Sequence, residues 1–501
     1  MHRGKTARLW ALLLGIAALG SAAATPRDAL IQEYCRLLAL PNVGTDKAHV
    51  RENAEFIAGM MRARGIDATL LEGDTADTNP VVYGEANVPG ATRTVVFYAH
   101  YDGQPVNPAR WAAGLEPFTP TLITAPVEQG GTIVGPCLGT AITSPTWRIA
   151  ARGAADDKAG VMTILNAYAA LREAGRRPRV NLHFFFEGEE EQGSVHLAEI
   201  LAKHRARLGS DLWVVVDGPR PAPGYKVVEF GVRGDINVGL VVFGAKRPLH
   251  SGNYGNWAPN PALRLATLLA GMKDGADHVT IPGFYDDVVP LSDSERAALE
   301  KVPDPGAQLA LELGIAHPDG GGRPFAELLT LPTLNINGIR SGDVGAAASN
   351  QIPTRAEAVL DLRLAKGNTA AGQVQKLVRY IESQGYHVLD RDPTDAERRR
   401  YERLIRVDVG AGYDAQRTSM DLPIARAVVT AVQTTTPEPV VKVVSVGGSL
   451  PLIVFERVLG ANVVTVPVVN YDNNQHAENE NVRIDFLWDA IDTIAAVMSI
   501  R

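Results

Sequence analysis

The feature that most constrains this chain is an apolar strand that runs directly into a crowd of acids. Val180-Asn181-Leu182-His183-Phe184-Phe185-Phe186 has the β-branched and aromatic content of a buried strand. Immediately behind it stand Glu187-Gly188-Glu189-Glu190-Glu191, four carboxylates in five positions. Like charges at a strand end repel, and a multivalent cation or a shared proton makes such crowding tolerable. A run of glutamates alone is equally consistent with a solvated turn, so the reading depends on what accompanies it.

Other segments repeat the plan. Thr94-Val95-Val96-Phe97-Tyr98-Ala99 ends in His100-Tyr101-Asp102-Gly103, and Leu212-Trp213-Val214-Val215-Val216 ends in Asp217-Gly218. Between them Arg152-Gly153-Ala154-Ala155-Asp156-Asp157-Lys158 leads into a helical pattern with Val161, Ile164, Leu165, Tyr168 and Leu171 on one face. Far downstream, Val463–Val469 is followed by His476, with Glu478 and Glu480 behind it. Open α/β sheets bind ligands beyond the carboxyl ends of their strands, so acids and imidazoles gathered at several such ends are expected to converge. In His100-Tyr101-Asp102 the strand period puts His100 and Asp102 on one face, where one can ligate and the other orient it. Glu187 and Glu189 read as turn acids that support the site or face solvent rather than ligate.

With those pieces on the page, the chain resembles the M20 metallopeptidases. The matching motifs are His100-Tyr101-Asp102, Arg152 to Lys158, Glu190-Glu191-Gln192-Gly193-Ser194, Asp217, and His476 with Glu478 and Asn479, in the family's order from about residue 27 onward. The resemblance implies a two-domain α/β fold, a zinc-peptidase-type catalytic domain with a smaller α+β lid and dimerisation domain inserted into it. It implies two divalent ions, zinc first, although imidazole and carboxylate donors also suit manganese or cobalt. Carried over by position, His100 and Asp217 hold one ion, Glu191 and His476 the other, and Asp156 bridges, with Glu190 as general base. Leu249-His250-Ser251-Gly252 resembles the segment whose His stabilises the oxyanion across a dimer. Arg363 stands where relatives clasp a substrate carboxylate, a task that suits its fork geometry, although an ordinary strand ion pair fits it too. Gly448 and Ser449, in Gly447-Gly448-Ser449-Leu450-Pro451, resemble a loop serving the same carboxylate, and Asn350 is a weaker candidate for that pocket.

The expected activity is hydrolysis of dipeptides or short peptides with a free C-terminal carboxylate. An N-acyl-amino-acid deacylase uses the same machinery and stays open as the alternative, with a non-catalytic binding protein on the same fold as a remote one. The segment from about 118 to 147 is longer than the family spacing and is expected to line the site as a specificity loop or lid.

The motif order places the metal residues at 100–217 and again at 476, so the chain must leave the catalytic domain and return. The Pro-rich stretch Pro219–Gly224 reads as the exit. The expected division is 1–24 signal peptide, 25–225 first catalytic part, 226–415 lid and dimerisation domain, and 416–501 second catalytic part. Arg3, Lys5 and Arg8, then Leu9 to Leu19, then Ser21-Ala22-Ala23-Ala24, have the order of an export signal, which implies a periplasmic or secreted protein. Its removal would make a chain of net charge −7 more acidic still, which argues against nucleic acid or an anionic membrane surface as partner. The expected partners are a small peptide and a second copy of the chain. An oxidising compartment allows Cys35 and Cys137 to pair, a question the sequence leaves open.

Overall fold

A computed structural model of the chain describes residues 26–448 and 451–500. The proposed signal segment and Ser449 lie outside the described residues.

The acid-bearing strands lie side by side. An eight-stranded sheet runs, edge to edge, Asp67–Leu71, Val81–Ala86, Asn181–Glu187, Thr94–His100, Leu212–Val215, Val463–Thr465, Val227–Glu229 and Val441–Val443. Its four central strands, Asn181–Glu187 to Val463–Thr465, are mutually parallel. Their carboxyl ends therefore open on one edge of the sheet. Strand alternation explains why these strands read as continuous apolar runs: both faces are covered. Val95, Phe97, Phe184 and Phe186 face a core shared with the helices Pro26–Leu38, Lys47–Ala63, Lys158–Glu173 and Ile484–Val497. Val96, Tyr98, Phe185 and Trp213 face a second core with Leu197, Ile200 and Phe455.

The inserted part forms its own sheet, in the order Thr333–Arg340, Arg355–Leu364, Gly234–Phe243, Leu404–Tyr413 and His387–Leu389. Helices Pro261–Ala270 and Ala370–Ser383 cover one face around Leu240, Leu360, Leu265 and Leu377. The crossing comes later than residue 226. Val227–Glu229 still pairs with Val441–Val443 and touches Thr465, so its backbone bonds belong to the large sheet, and the second sheet begins at Gly234.

The segment 118–147 departs from expectation. It supplies Thr121–Ile123 and Ile133–Pro136, which join Arg148–Ala150 and Asn481–Arg483 in a four-stranded side sheet. Cys137, just past the strand Ile133–Pro136, is disulfide-bonded to Cys35 on the first helix, with a Cα separation of 6.1 Å, and both are fully buried. Gln32 fastens the same junction, donating to the Cys137 carbonyl at 3.0 Å and accepting from the Gly139 amide at 2.8 Å. Among the described residues, no helix is long and apolar enough to cross a membrane.

Candidate active site

His100 closes its strand fully buried, with its imidazole at the carboxyl edge of the sheet. Its Nε2 lies 2.9 Å from Asp156 Oδ1 and 3.8 Å from both Asp217 Oδ2 and Glu190 Oε2. The other oxygen of Asp156, Oδ2, lies 2.9 Å from His476 Nε2, which is itself 3.4 Å from Glu191 Oε2. Asp156 thus stands between two imidazoles from opposite ends of the chain, one carboxylate oxygen toward each.

Asp102 orients both sides of this cluster. Its Oδ1 is 3.4 Å from His100 Nδ1, and its two oxygens accept from the Glu190 and Glu191 amides at 3.1 Å each. One buried carboxylate therefore positions an imidazole and the turn that carries two acids. Asp157 accepts from the His100 amide at 3.2 Å and caps the helix Lys158–Glu173 through the Gly160 amide at 3.0 Å. Gln104 Nε2 donates to Glu191 Oε2 at 2.7 Å.

The charges acting most strongly on these acids are one another's and the two imidazoles'. Burial pushes the Glu190 carboxyl well up, with Asp217, Glu191 and Asp156 adding to it and His100 opposing. Burial, then Asp156, lifts Glu191 to about 7 and Asp217 to about 6. Burial opposes ionisation of Asp156 as well, but hydrogen bonds from His100 and His476 hold it below the usual carboxylate range. His100 goes up despite its burial, through its contacts with Asp102 and Asp156, and His476 rises through Asp156. Protons here neutralise a surplus of negative charge that divalent cations would neutralise better.

The donor set fits such cations. Ligand atoms of Asp156, Glu191 and His476 lie within 4.8 Å of one another, and so do those of His100, Asp157 and Asp217. All are imidazole nitrogens and carboxylate oxygens, the donors zinc accepts and manganese or cobalt tolerate. Asp157, which sequence reasoning left unassigned, thus sits within the second group. Beside the cluster opens a cavity of about 500 Å³, lined by Asp156, Glu190, Glu191, Asp217 and His476 on one side and by Glu229 and Tyr413 among others.

The model of Peptidase family M20/M25/M40 matches residues 96–499. The chain belongs to that family. Among curated relatives it is 24% identical over 483 residues to the Cys-Gly metallodipeptidase dug1 of Schizosaccharomyces pombe, covering 92% of each chain. It is 24% identical over 442 residues to the Beta-Ala-His dipeptidase of Homo sapiens, covering 82% of this chain and 76% of that one. Among solved structures, the M20 family metallo-carboxypeptidase Sso-CP2 from Sulfolobus solfataricus superposes with a TM-score of 0.73 at 26% identity, covering 94% of this chain and 98% of that one. Human carnosine dipeptidase 1 superposes with a TM-score of 0.66 at 21% identity, covering 94% and 95%.

Within this M20 chain, His100, Asp102, Asp156, Glu190, Glu191, Asp217 and His476 come together, and Gly448 lies on the cavity wall. Arg363, His250 and Asn350, also proposed for substrate contact, are placed elsewhere. Arg363 does not line the cavity, and its Nε lies 3.1 Å from Asp361 and 3.6 Å from Asp235. His250 is exposed on the inserted part, its Nδ1 accepting from the Gly252 amide at 3.1 Å. Asn350 is exposed beside it, its carbonyl accepting from the Ser251 amide at 3.0 Å. Nor does the segment 118–147 line the cavity. Its Glu128 supports the His476 loop, accepting from Asn479 Nδ2 at 2.7 Å, while Asn479 Oδ1 accepts from the amide of Ala112, upstream of the segment, at 2.9 Å.

Glu187 and Glu189 are buried rather than solvated. Glu187 accepts from the Tyr98 hydroxyl at 2.8 Å and is raised by burial to about 7. Glu189 accepts from the Asn79 amide at 2.8 Å and lies 2.8 Å from His196 Nδ1. Sequence reasoning missed Gln104 and Glu229. For Gln104 no local signal existed; for Glu229 the signal was a lone acid in the apolar run Val227-Val228-Glu229-Phe230.

Proposed function

We propose that this chain is an exported metallopeptidase that hydrolyses dipeptides or short peptides with a free C-terminal carboxylate. The observation that carries the reading is Asp156 set between His100 Nε2 and His476 Nε2 at 2.9 Å on each side, in a cluster of further acids beside an open cavity. The dipeptidases and the carboxypeptidase among its relatives support the substrate class.

His100 and Asp217 would hold one divalent ion, Glu191 and His476 the other, and Asp156 both, with zinc the metal this donor set favours. When bound, such a pair polarises the scissile carbonyl and makes water acidic enough to attack it near neutral pH. Glu190 takes the proton from the attacking water at its carboxylate and returns it to the leaving amine. Asp102 keeps His100 and the Glu190 turn in register throughout. His250, supplied across a homodimer through the inserted part, steadies the oxyanion, and Arg363 engages the terminal carboxylate once the inserted part closes over the cavity. What supports export is the leader-like N-terminal sequence together with the buried Cys35–Cys137 bond, since disulfides persist in oxidising compartments.

The test is metal content per chain on the purified protein, with turnover of unblocked dipeptides against acetyl- and succinyl-amino acids before and after chelation. About two metals per chain, with dipeptide turnover lost on chelation and restored by zinc, is the expected result. Turnover of acylated amino acids alone would replace the peptidase reading with the deacylase one.

A further inference from the structure

One acid in the cavity has no part in the proposed chemistry. Glu229 ends the strand Val227–Glu229 and sits opposite Thr465 on the neighbouring strand. Val228 and Phe230, on either side of it, point into the main core, so strand alternation turns Glu229 to the other face. There it lines the same cavity as Asp156, Glu190 and Asp217. It belongs to neither group of converging ligand atoms. The charge acting on it is another acid, Asp217, and among the described residues no basic side chain or amide offsets it.

Such a carboxyl does nothing for the sheet. Val or Thr suits a strand better, and the carboxylate, half-buried at the cavity wall, has no ion pair with the described residues. It is free to pair with a cation or a hydrogen-bond donor that enters the cavity. The cavity also presents the uncharged Tyr413, Val446 and Thr465, and Glu229 is its one carboxylate outside the catalytic cluster, so an organic cation bound there would find an acid that the cluster does not claim.

We infer that Glu229 is a specificity-determining residue whose carboxylate receives an ammonium group on the N-terminal residue of the substrate. The inference rests on the peptidase reading and deepens it: this enzyme selects peptides whose N-terminal residue is unblocked or basic. The ammonium has two sources, the free α-amino group and a lysine-type side chain, and they are separable by experiment.

The experiment uses full-length, metal-loaded Glu190→Ala protein, which binds without cleaving, with and without Glu229→Gln. Calorimetry measures the affinity of Ala-Ala, Lys-Ala and N-acetyl-Ala-Ala, and metal per chain is measured on both proteins. Charge-assisted hydrogen bonds are the stronger kind, so Glu229→Gln should weaken the ammonium-bearing peptides by about 10- to 100-fold and change the acetylated one by less than about twofold. Equal loss on Ala-Ala and Lys-Ala assigns the α-amino group; loss on Lys-Ala alone assigns the side chain. Equal loss on all three peptides, no loss on any, or loss of metal from the variant would overturn the inference and leave the peptidase reading standing. Failure of the parent protein to bind any of the three would overturn both.

Discussion

Glu480 grips Asp156 by its backbone. One carboxylate oxygen accepts from the Asp156 amide at 3.0 Å and the Ala155 amide at 2.8 Å. The other takes the Gly153 amide at 3.0 Å and Arg152 Nη1 at 2.7 Å. The acid that stands between the two imidazoles is thus aimed by a second acid that touches neither. Glu480→Gln turns an amide NH₂ toward donors. We expect it to lower folding stability by about 2–4 kcal/mol and metal affinity by about 10- to 100-fold. Denaturant unfolding and competition against a chelator measure the two. Undiminished metal affinity would show that the Asp156 turn holds its shape without Glu480.

Glu190 is assigned to move a proton and not to hold metal. Glu190→Gln keeps the shape of the side chain and removes the base, so kcat should fall by about 10²- to 10⁴-fold with metal content unchanged. Loss of metal together with activity would make Glu190 a ligand.

Among the described residues, Gln104 reaches the cluster through Glu191, donating at 2.7 Å. Support of this kind tunes ligand orientation, so Gln104→Leu should weaken one of the two metals by about tenfold or more and leave the other in place. A stepwise chelator titration resolves the two; equal weakening of both would contradict the assignment.

The acids predict how stability depends on pH. In metal-free protein Glu187 and Glu191 are raised to about 7 and Asp217 to about 6, above the roughly 4 of an unfolded chain. The folded state then holds more protons than the unfolded one between about pH 4 and 7, so its stability falls as pH rises through that window. His100 and His476, also raised, bring stability that is present at low pH and lost as pH rises, the same sign. Asp156 has the opposite sign, but its effect lies at lower pH. Ligands must lose protons to bind metal, so zinc binding releases protons and strengthens as pH rises. Metal-free Tm should therefore drop from about pH 5 to about pH 8, while the Tm gain on adding zinc grows. A zinc-induced gain that stayed flat across that range would refute the account.

The disulfide joins residues 102 positions apart, so breaking it frees a long loop in the unfolded chain. Cys137→Ser should cost about 3–5 kcal/mol in urea unfolding while leaving activity at 25 °C near that of the parent, because the bond lies away from the cavity lining. A large loss of kcat in folded protein would instead tie the side sheet directly to the site.

Much of the site is legible in the sequence, because its residues sit at strand ends and turn motifs, where hydrophobic period and polar punctuation are local properties. Thr94–His100, Asn181–Glu187 and Leu212–Val215 read as strands from composition, and each carries its acid or imidazole at or just beyond its end. Residues whose work depends on a distant partner were not legible in that way. Gln104 reads as one more loop residue until Glu191 is placed beside it. The 118–147 segment is rich in Gly, Pro and Thr, as loops are, and loops near a site invite reading as lids; its strand Thr121–Ile123 pairs with Arg148–Ala150, which turns it into scaffold.

What the sequence by itself determined is the inventory: which imidazoles and carboxylates stand at the mouths of apolar strands, and that their crowding calls for cations. Only the tertiary structure decided the pairing. Asp156 turns one oxygen to His100 and the other to His476, Glu480 aims it from behind, and Glu229 faces the cavity while Arg363 does not line it. The reason is physical: strand period and turn chemistry act over a few residues, whereas the direction of a carboxylate oxygen is set by donors that sheet order brings together from hundreds of residues away.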